Sequence, residues 1–282
     1  MRRAFVTVAA VGLLLVACTS ENPTVGGGSS GGPSGASCTM DQLQLVQPGQ
    51  LTVATDSPAY NPWFRHNDPS NGQGYESAVT YAVADQLGFS TDEVHWVVEP
   101  FNKTYAPGPK DYDFAIEQIS ITPERSQAVT FSEGYYDDQQ ALLAIKGTPI
   151  ASAKTIADLK PYKFGAQIGT TSLAFISQVL QTSQQPGVFD TTAAAISALE
   201  NGQIDGMVLD LPTAAYTQYA IKDGTLVGKF APNGEQFGMA FEKGNPLVTC
   251  VNQAIETLKG NGTLDQLQKR WLASYNAVPL IQ

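Results

Sequence analysis

The chain has 282 residues, 43% of them hydrophobic, and a formal net charge of −10. That supplies enough apolar material for a sizeable core, divided between two lobes. The acidic balance argues against nucleic acid, which rewards clustered Lys and Arg, and against electrostatic docking on anionic lipid.

In chain order, the first feature is Arg2 and Arg3, followed by an apolar run over residues 4–16 and the sequence Leu15-Val16-Ala17-Cys18. A basic start, a short apolar run and small residues before a cysteine read as a signal peptide ending in a lipobox, with lipid on Cys18. The alternative is a cleaved signal in which Cys18 is incidental. The run is too short for a permanent span, and no later stretch approaches the roughly 20 apolar residues a membrane helix needs. Residues 19–37 are dominated by Gly, Ser, Pro, Thr and Asn, a composition that behaves as a flexible tether with a reach of about 25 Å. With Cys18 assigned to lipid, Cys38 and Cys250 remain. An even pair in an oxidising compartment suggests a disulfide tying the start of the folded body to a late helix; two free thiols are the alternative. Closing so long a loop contributes about 4–5 kcal/mol on the chain-entropy model.

From there short β-rich runs alternate with amphipathic helical patterns. Strands are predicted at 51–54, 93–98 and 114–121, with a helix at 76–87. A second set places strands at 163–166, 188–189 and 206–209, with helices from about 171 and over 192–201. Extended crossings are expected at 140–146 and 237–241, and helices at 247–259 and 264–274. The fold class is therefore α/β, with a discontinuous first lobe (38–138 and 237–282), a second lobe (139–236) and a cleft that two hinge strands allow to close. Ligand sites in such sheets lie beyond the carboxyl ends of the strands, which is where the polar punctuation of this sequence falls.

Metal, cofactor and nucleophile chemistry lack their signatures. The two histidines, His66 and His95, sit in polar sequence without Cys-x-x-Cys or His-Glu-x-x-His spacing, and neither a Gly-x-Ser-x-Gly elbow nor a phosphate loop is present. The densest signal is Gln118-Ile119-Ser120-Ile121-Thr122-Pro123-Glu124-Arg125. Arg125 offers a planar fork for a carboxylate, with Ser120 beside it; taken alone, the segment is also an ordinary helix start with Thr122 as cap and Pro123 in the first turn.

Together with Val53-Ala54-Thr55-Asp56, Gly74-Tyr75-Glu76, Phe131-Ser132-Glu133-Gly134-Tyr135-Tyr136, Gly169-Thr170-Thr171-Ser172, Asn201-Gly202-Gln203-Ile204-Asp205-Gly206 and Leu209-Asp210-Leu211-Pro212, this segment resembles the family 3 solute-binding proteins of polar amino-acid ABC importers, a two-lobed type II periplasmic-binding fold. The resemblance covers the whole mature domain. It implies a monomeric, non-enzymatic receptor that captures an amino acid and hands it to an ABC permease. By the same resemblance Arg125 pairs with the ligand α-carboxylate, helped by Ser120 and by Thr171 from the other lobe, and Asp210 holds the α-ammonium. Asp56, Tyr60 and Phe101 correspond to pocket positions, while Glu117 and Gln118 replace the small residues of many relatives and tilt the pocket toward a polar or cationic amino acid. The chain departs from the family at Ala78, where relatives carry an acid, and residues 61–74 are longer than in simple members. Two other uses of the fold stay open: a dehydratase-like enzyme, for which Glu117 is the one unusual candidate acid, and a sensory ectodomain.

Overall fold

The computed structural model describes residues 38–282; the leader expected at 1–18, with Cys18, and the tether at 19–37 lie outside them. Twelve strands are formed among the described residues: β1 (Leu51–Thr55), β2 (Val94–Val98), β3 (Phe114–Ala115), β4 (Thr130–Phe131), β5 (Tyr136–Asp137), β6 (Gln140–Ile145), β7 (Phe164–Gln167), β8 (Gly187–Phe189), β9 (Gly206–Asp210), β10 (Gly224–Lys229), β11 (Gln236–Phe237) and β12 (Ala240–Phe241). The α-helices are α1 (Tyr75–Gln86), α2 (Phe101–Thr104), α3 (Pro123–Ala128), α4 (Ile156–Leu159), α5 (Thr171–Phe175), α6 (Thr192–Glu200), α7 (Leu211–Thr217), α8 (Leu247–Gly260) and α9 (Thr263–Trp271).

They build two mixed five-stranded sheets, in the orders β2-β1-β3-β12-β4 and β10-β6-β9-β7-β8. In each, the parallel strands belong to β-α-β units and an antiparallel strand sits inside: β12 against β3 and β4, β6 against β9 and β10. The fold is the two-lobed α/β architecture. Between the sheets β5 and β11 pair as a short antiparallel ribbon, Tyr136 opposite Phe237 and Asp137 opposite Gln236. This ribbon is where the chain crosses, and it corrects two expectations.

Within 140–146, expected as a crossing, Gln140–Ile145 form β6, inside the second sheet. Ala141 and Leu143 pack into one hydrophobic cluster and Leu142 and Ala144 into another, so both faces are buried and the strand reads as an unbroken apolar run rather than an alternating one. The stretch 237–241 likewise splits between the ribbon and β12. The end of the chain also departs from the proposed division: Leu280 bridges to Lys229, Gln282 bonds to Lys154 and Ile156, and Ile281 is buried in the second sheet's cluster. The final residues clasp the second lobe, not the first.

The first lobe has a large core in which α1, α8 and α9 cover the sheet, and a smaller second cluster that includes Ala54, Phe101, Tyr112 and Ile119. Cys38 and Cys250 are joined, with Cα atoms 5.4 Å apart, so the start of the folded body is stapled to α8. No helix of the described residues is long and apolar enough to cross a membrane.

Candidate ligand-binding cleft

The strand expected over 114–121 ends after Ala115, and the reason lies in Gln118. Its backbone adopts φ 48°, a left-handed conformation that a non-glycine residue holds only when its surroundings impose it. The fully buried Glu76 imposes it here: one carboxylate oxygen accepts from Gln118 N at 2.7 Å, the other from Gln118 Nε2, and the Tyr135 hydroxyl donates as well. Glu76, two positions before Ala78, is thus the buried acid of this stretch. Burial pushes its carboxyl up to about 7, against the pull of those three donors. The sharp bend turns Glu117, Gln118 and Ser120 into the space between the lobes.

That space is a small cavity of about 60 Å³, lined from the first lobe by Asp56, Tyr60, Phe101, Glu117, Gln118 and Ser120 and from the second by Thr171 and Asp210, with Thr170, Ser172, Gln167 and Thr192 beside them. Every residue singled out for the ligand is on its wall except Arg125. Thr170, not Thr171, caps α5, accepting from Leu173 N at 3.1 Å. The Thr171 hydroxyl is therefore available to meet Ser120 Oγ at 3.2 Å across the seam. Thr122 caps α3 and Pro123 opens it, as the local sequence predicts.

Arg125 is buried behind the wall. Its Nη1 donates to Ser120 O at 2.8 Å and its Nη2 to Gly169 O of the other lobe at 2.9 Å, while its guanidinium lies 4.3 Å from the centre of the Tyr105 ring and 5.4 Å from that of Phe101. Tyr105 also donates to Gly169 O at 3.2 Å, and Trp63 Nε1 to Thr213 Oγ1 on α7 at 2.8 Å. These bonds across the seam define closed lobes. Trp63 comes from the extended 61–74 segment and is edge-packed on Tyr75, Tyr136 and Phe237, so the insertion reaches the hinge as well as the rim.

Carboxylates stand at both ends of the cavity. At one end Glu117 is 7% exposed and its Oε2 has no hydrogen-bond partner. Burial, then the charges of Asp56 and Glu76, raise it well above the usual carboxylate range. At the hinge end Asp210 lines the cavity, and Asp138 and Glu235, outside its lining, bring carboxylate oxygens within 4.8 Å of one another and of Asp210. Gln140 Nε2, at the start of β6, sits among them: 3.0 Å from Asp210, 3.2 Å from Glu235 and 3.5 Å from Asp138, its own Oε1 accepting from Ser172 at 2.7 Å. Ser120 Oγ donates to Glu235 at 2.7 Å. Burial first, then the neighbouring acids, raise both Asp138 and Asp210. Asp138 and Glu235 flank the crossing ribbon and Gln140 opens β6, and none of the three belongs to a recognisable motif; the one available signal is the polar residues bracketing the apolar run of β6.

A family model, bacterial extracellular solute-binding proteins, family 3, matches residues 51–274, and the chain belongs to that family. It is a binding protein by family, not an enzyme. Among curated relatives it is 26% identical over 270 residues, 92% of each chain, to the ABC transporter glutamine-binding protein GlnH of Bacillus subtilis. It is 31% identical over 174 residues, 57% of this chain and 67% of the other, to ABC transporter arginine-binding protein 1 of Escherichia coli. Among solved structures, an ancestral arginine-binding protein bound to arginine superposes with a TM-score of 0.67 at 31% identity, covering 80% of this chain and 99% of that one.

Proposed function

We propose that this protein captures a polar amino acid with a cationic side chain in the closed cleft and delivers it to an ABC permease. One observation carries the choice of charge: among the described residues the cavity wall presents Asp56, Glu117 and Asp210 and no Lys, Arg or His. A buried carboxylate with an unpartnered oxygen is costly, and a cation from the ligand relieves it. Relatives whose names include arginine support the same charge, and the glutamine-binding relative keeps the neutral polar class as the second reading.

In this reading Asp210 holds the α-ammonium, Asp56 and Glu117 meet the side-chain cation, and Tyr60 and Phe101 flank the stem. Ser120 and Thr171 lie at the seam with Arg125 behind them, on the side the resemblance assigns to the α-carboxylate. Because these groups come from opposite lobes, all are satisfied only when the clamp is shut, which couples recognition to closure. Lipid on Cys18 and the tether over 19–37 would hold the receptor at the membrane beside its permease; mass spectrometry of the membrane-extracted chain tests that anchor.

The experiment for the ligand is a thermal-shift and calorimetric screen of the mature chain against the twenty amino acids. A ligand at 100 times its dissociation constant stabilises by about 2.7 kcal/mol. Arginine, lysine or histidine is expected to give the largest shift. A larger shift with glutamate or with an apolar amino acid overturns the reading; glutamine in first place selects the neutral alternative.

A further inference from the structure

Glu117 brings its unpartnered Oε2 to the cavity wall from the middle of a turn. At Ile116 the chain still pairs with β1, Ile116 N donating to Ala54 O at 3.0 Å. By Ile119 it pairs with the crossing stretch around β11: Ile119 O accepts from Gly238 N at 3.0 Å and Ile121 N donates to Gln236 O at 2.8 Å. Glu117 and Gln118 make the turn between those anchors, and it needs φ 48° at Gln118. For a residue with a Cβ that conformation is disfavoured by roughly tenfold in an equilibrium, so something must hold it.

The holder is Glu76, in the first turn of α1, which is fully buried and does not line the cavity. Its carboxylate accepts from Gln118 N, Gln118 Nε2 and the Tyr135 hydroxyl. Both sides of that grip are themselves fixed. Gly74, at φ 99°, has no room for a Cβ, which would stand 2.3 Å from Trp63 O; this close approach seats the start of α1, with Glu76 N donating to Trp63 O at 3.0 Å. Tyr135 N donates to Phe237 O at 2.9 Å, and the Tyr75 hydroxyl to Tyr135 O at 2.8 Å. Gln118 Nε2 is committed to Glu76 although Gln118 borders the cavity, so what the grip delivers to the ligand is Glu117. We propose that Glu76 is a specificity-determining positioning residue: by holding the bend at Gln118 it aims Glu117 into the cavity, and this sets how strongly the cleft favours a cationic side chain over a neutral one. The inference rests on the reading that Glu117 meets the ligand's side-chain cation. Two routes from Glu76 to the ligand are separable, the bend and the direct field of a second buried carboxylate. The field acts whatever residue occupies position 118, whereas the bend needs no holder once that residue is glycine, which takes positive φ freely.

The test is calorimetry with arginine and with glutamine on the mature chain, run as a double-mutant cycle. Glu76→Gln keeps the shape but leaves one acceptor oxygen for the three donors, and the arginine-to-glutamine affinity ratio is expected to fall by about tenfold. In a Gln118→Gly background the same substitution is expected to move the ratio by less than about twofold. Glu76→Asp keeps the charge and withdraws the carboxylate by one methylene. A comparable fall there supports the bend, and this variant takes the place of Glu76→Gln in the cycle if the latter does not fold. An equal fall in both backgrounds, or arginine and glutamine weakening by the same factor in Glu76→Gln, overturns the inference and leaves the ligand reading intact. A wild type that does not prefer arginine to glutamine removes the ligand reading, and the inference with it.

Discussion

The two ends of the cleft carry the same chemical group with different partners, although Asp138 Oδ1 near the hinge shares with Glu117 Oε2 the lack of a donor. At the hinge end Asp210 and Glu235 accept from Gln140 and Ser120, so their positions are fixed before any ligand arrives. At the far end Glu117 is buried with an oxygen that receives nothing. An unsatisfied buried polar atom costs about 1–3 kcal/mol, more when charged. Asp210 and Glu235 are thus built for placement, and Glu117, whose unpartnered oxygen belongs to a residue of the cavity wall, has the most to gain from a ligand cation. A clamp organised this way orients its ligand at the hinge and selects it at the other end.

The largest effect that would break this comparison is expected from Asp210→Ala. Removing one partner of a buried charge pair costs about 2–5 kcal/mol of binding, while the ligand-free melting temperature should hold or rise, because a crowded carboxylate disappears from beside Asp138 and Glu235. Wild-type affinity in calorimetry would show that the ammonium does not go to the hinge. Glu117→Gln comes next. It should cost arginine about 1.5–3 kcal/mol, the value of a hydrogen bond to a charged group, and leave glutamine nearly untouched. Equal losses for the two ligands would mean that the far end does not select.

Titration sharpens the contrast further. Burial first and neighbouring carboxylates second raise Glu117 (beside Asp56 and Glu76), Asp138 (beside Asp210 and Glu235) and Asp210 (beside Glu235), so the folded, ligand-free protein holds protons that the unfolded chain releases. Stability of the ligand-free protein should therefore fall as pH rises from the ordinary carboxylate range toward neutrality, since the unfolded state binds fewer protons there. Cation binding needs these groups ionised, so the thermal shift given by arginine should grow over the same rise, from about pH 5 to about pH 8. Opposite slopes for the free and the liganded protein are the expected outcome. Parallel slopes would mean that the acids are not what the ligand touches.

Much of this cleft was legible in the sequence because its carriers sit at strand ends and helix starts, where motif and geometry coincide. Asp56 follows β1, Asp210 closes β9, and Thr171 opens α5. What stayed hidden depends on long-range pairing. Glu235 meets Ser120 across 115 residues of chain, and Gln140 meets Asp210 across 70; no local pattern marks either. Arg125 shows the reverse case. Its motif was plain, but the motif does not reveal that Gly169 O would accept from its Nη2 and Tyr105 cover its face. The strand predicted over 114–121 was overrun for a similar reason: the bend at Gln118 is held by Glu76, 42 residues earlier.

The smallest expected effect separates closure from recognition. Trp63 is fully buried in the first lobe, and its Nε1 donates to Thr213 of the second at 2.8 Å, a bond that opening must break. Thr213→Val keeps the shape and removes the acceptor. In the open state water serves the indole in either protein, so the loss falls on the closed state alone, by about 1–3 kcal/mol for a donor left unsatisfied. The populated fraction of closed, binding-competent protein drops, and apparent affinity drops by the same factor for every ligand. Arginine, lysine and glutamine should therefore weaken in parallel, with a larger radius of gyration by small-angle scattering for the free variant. A loss confined to one ligand would place Thr213, which also borders the cavity, among the residues that read the side chain.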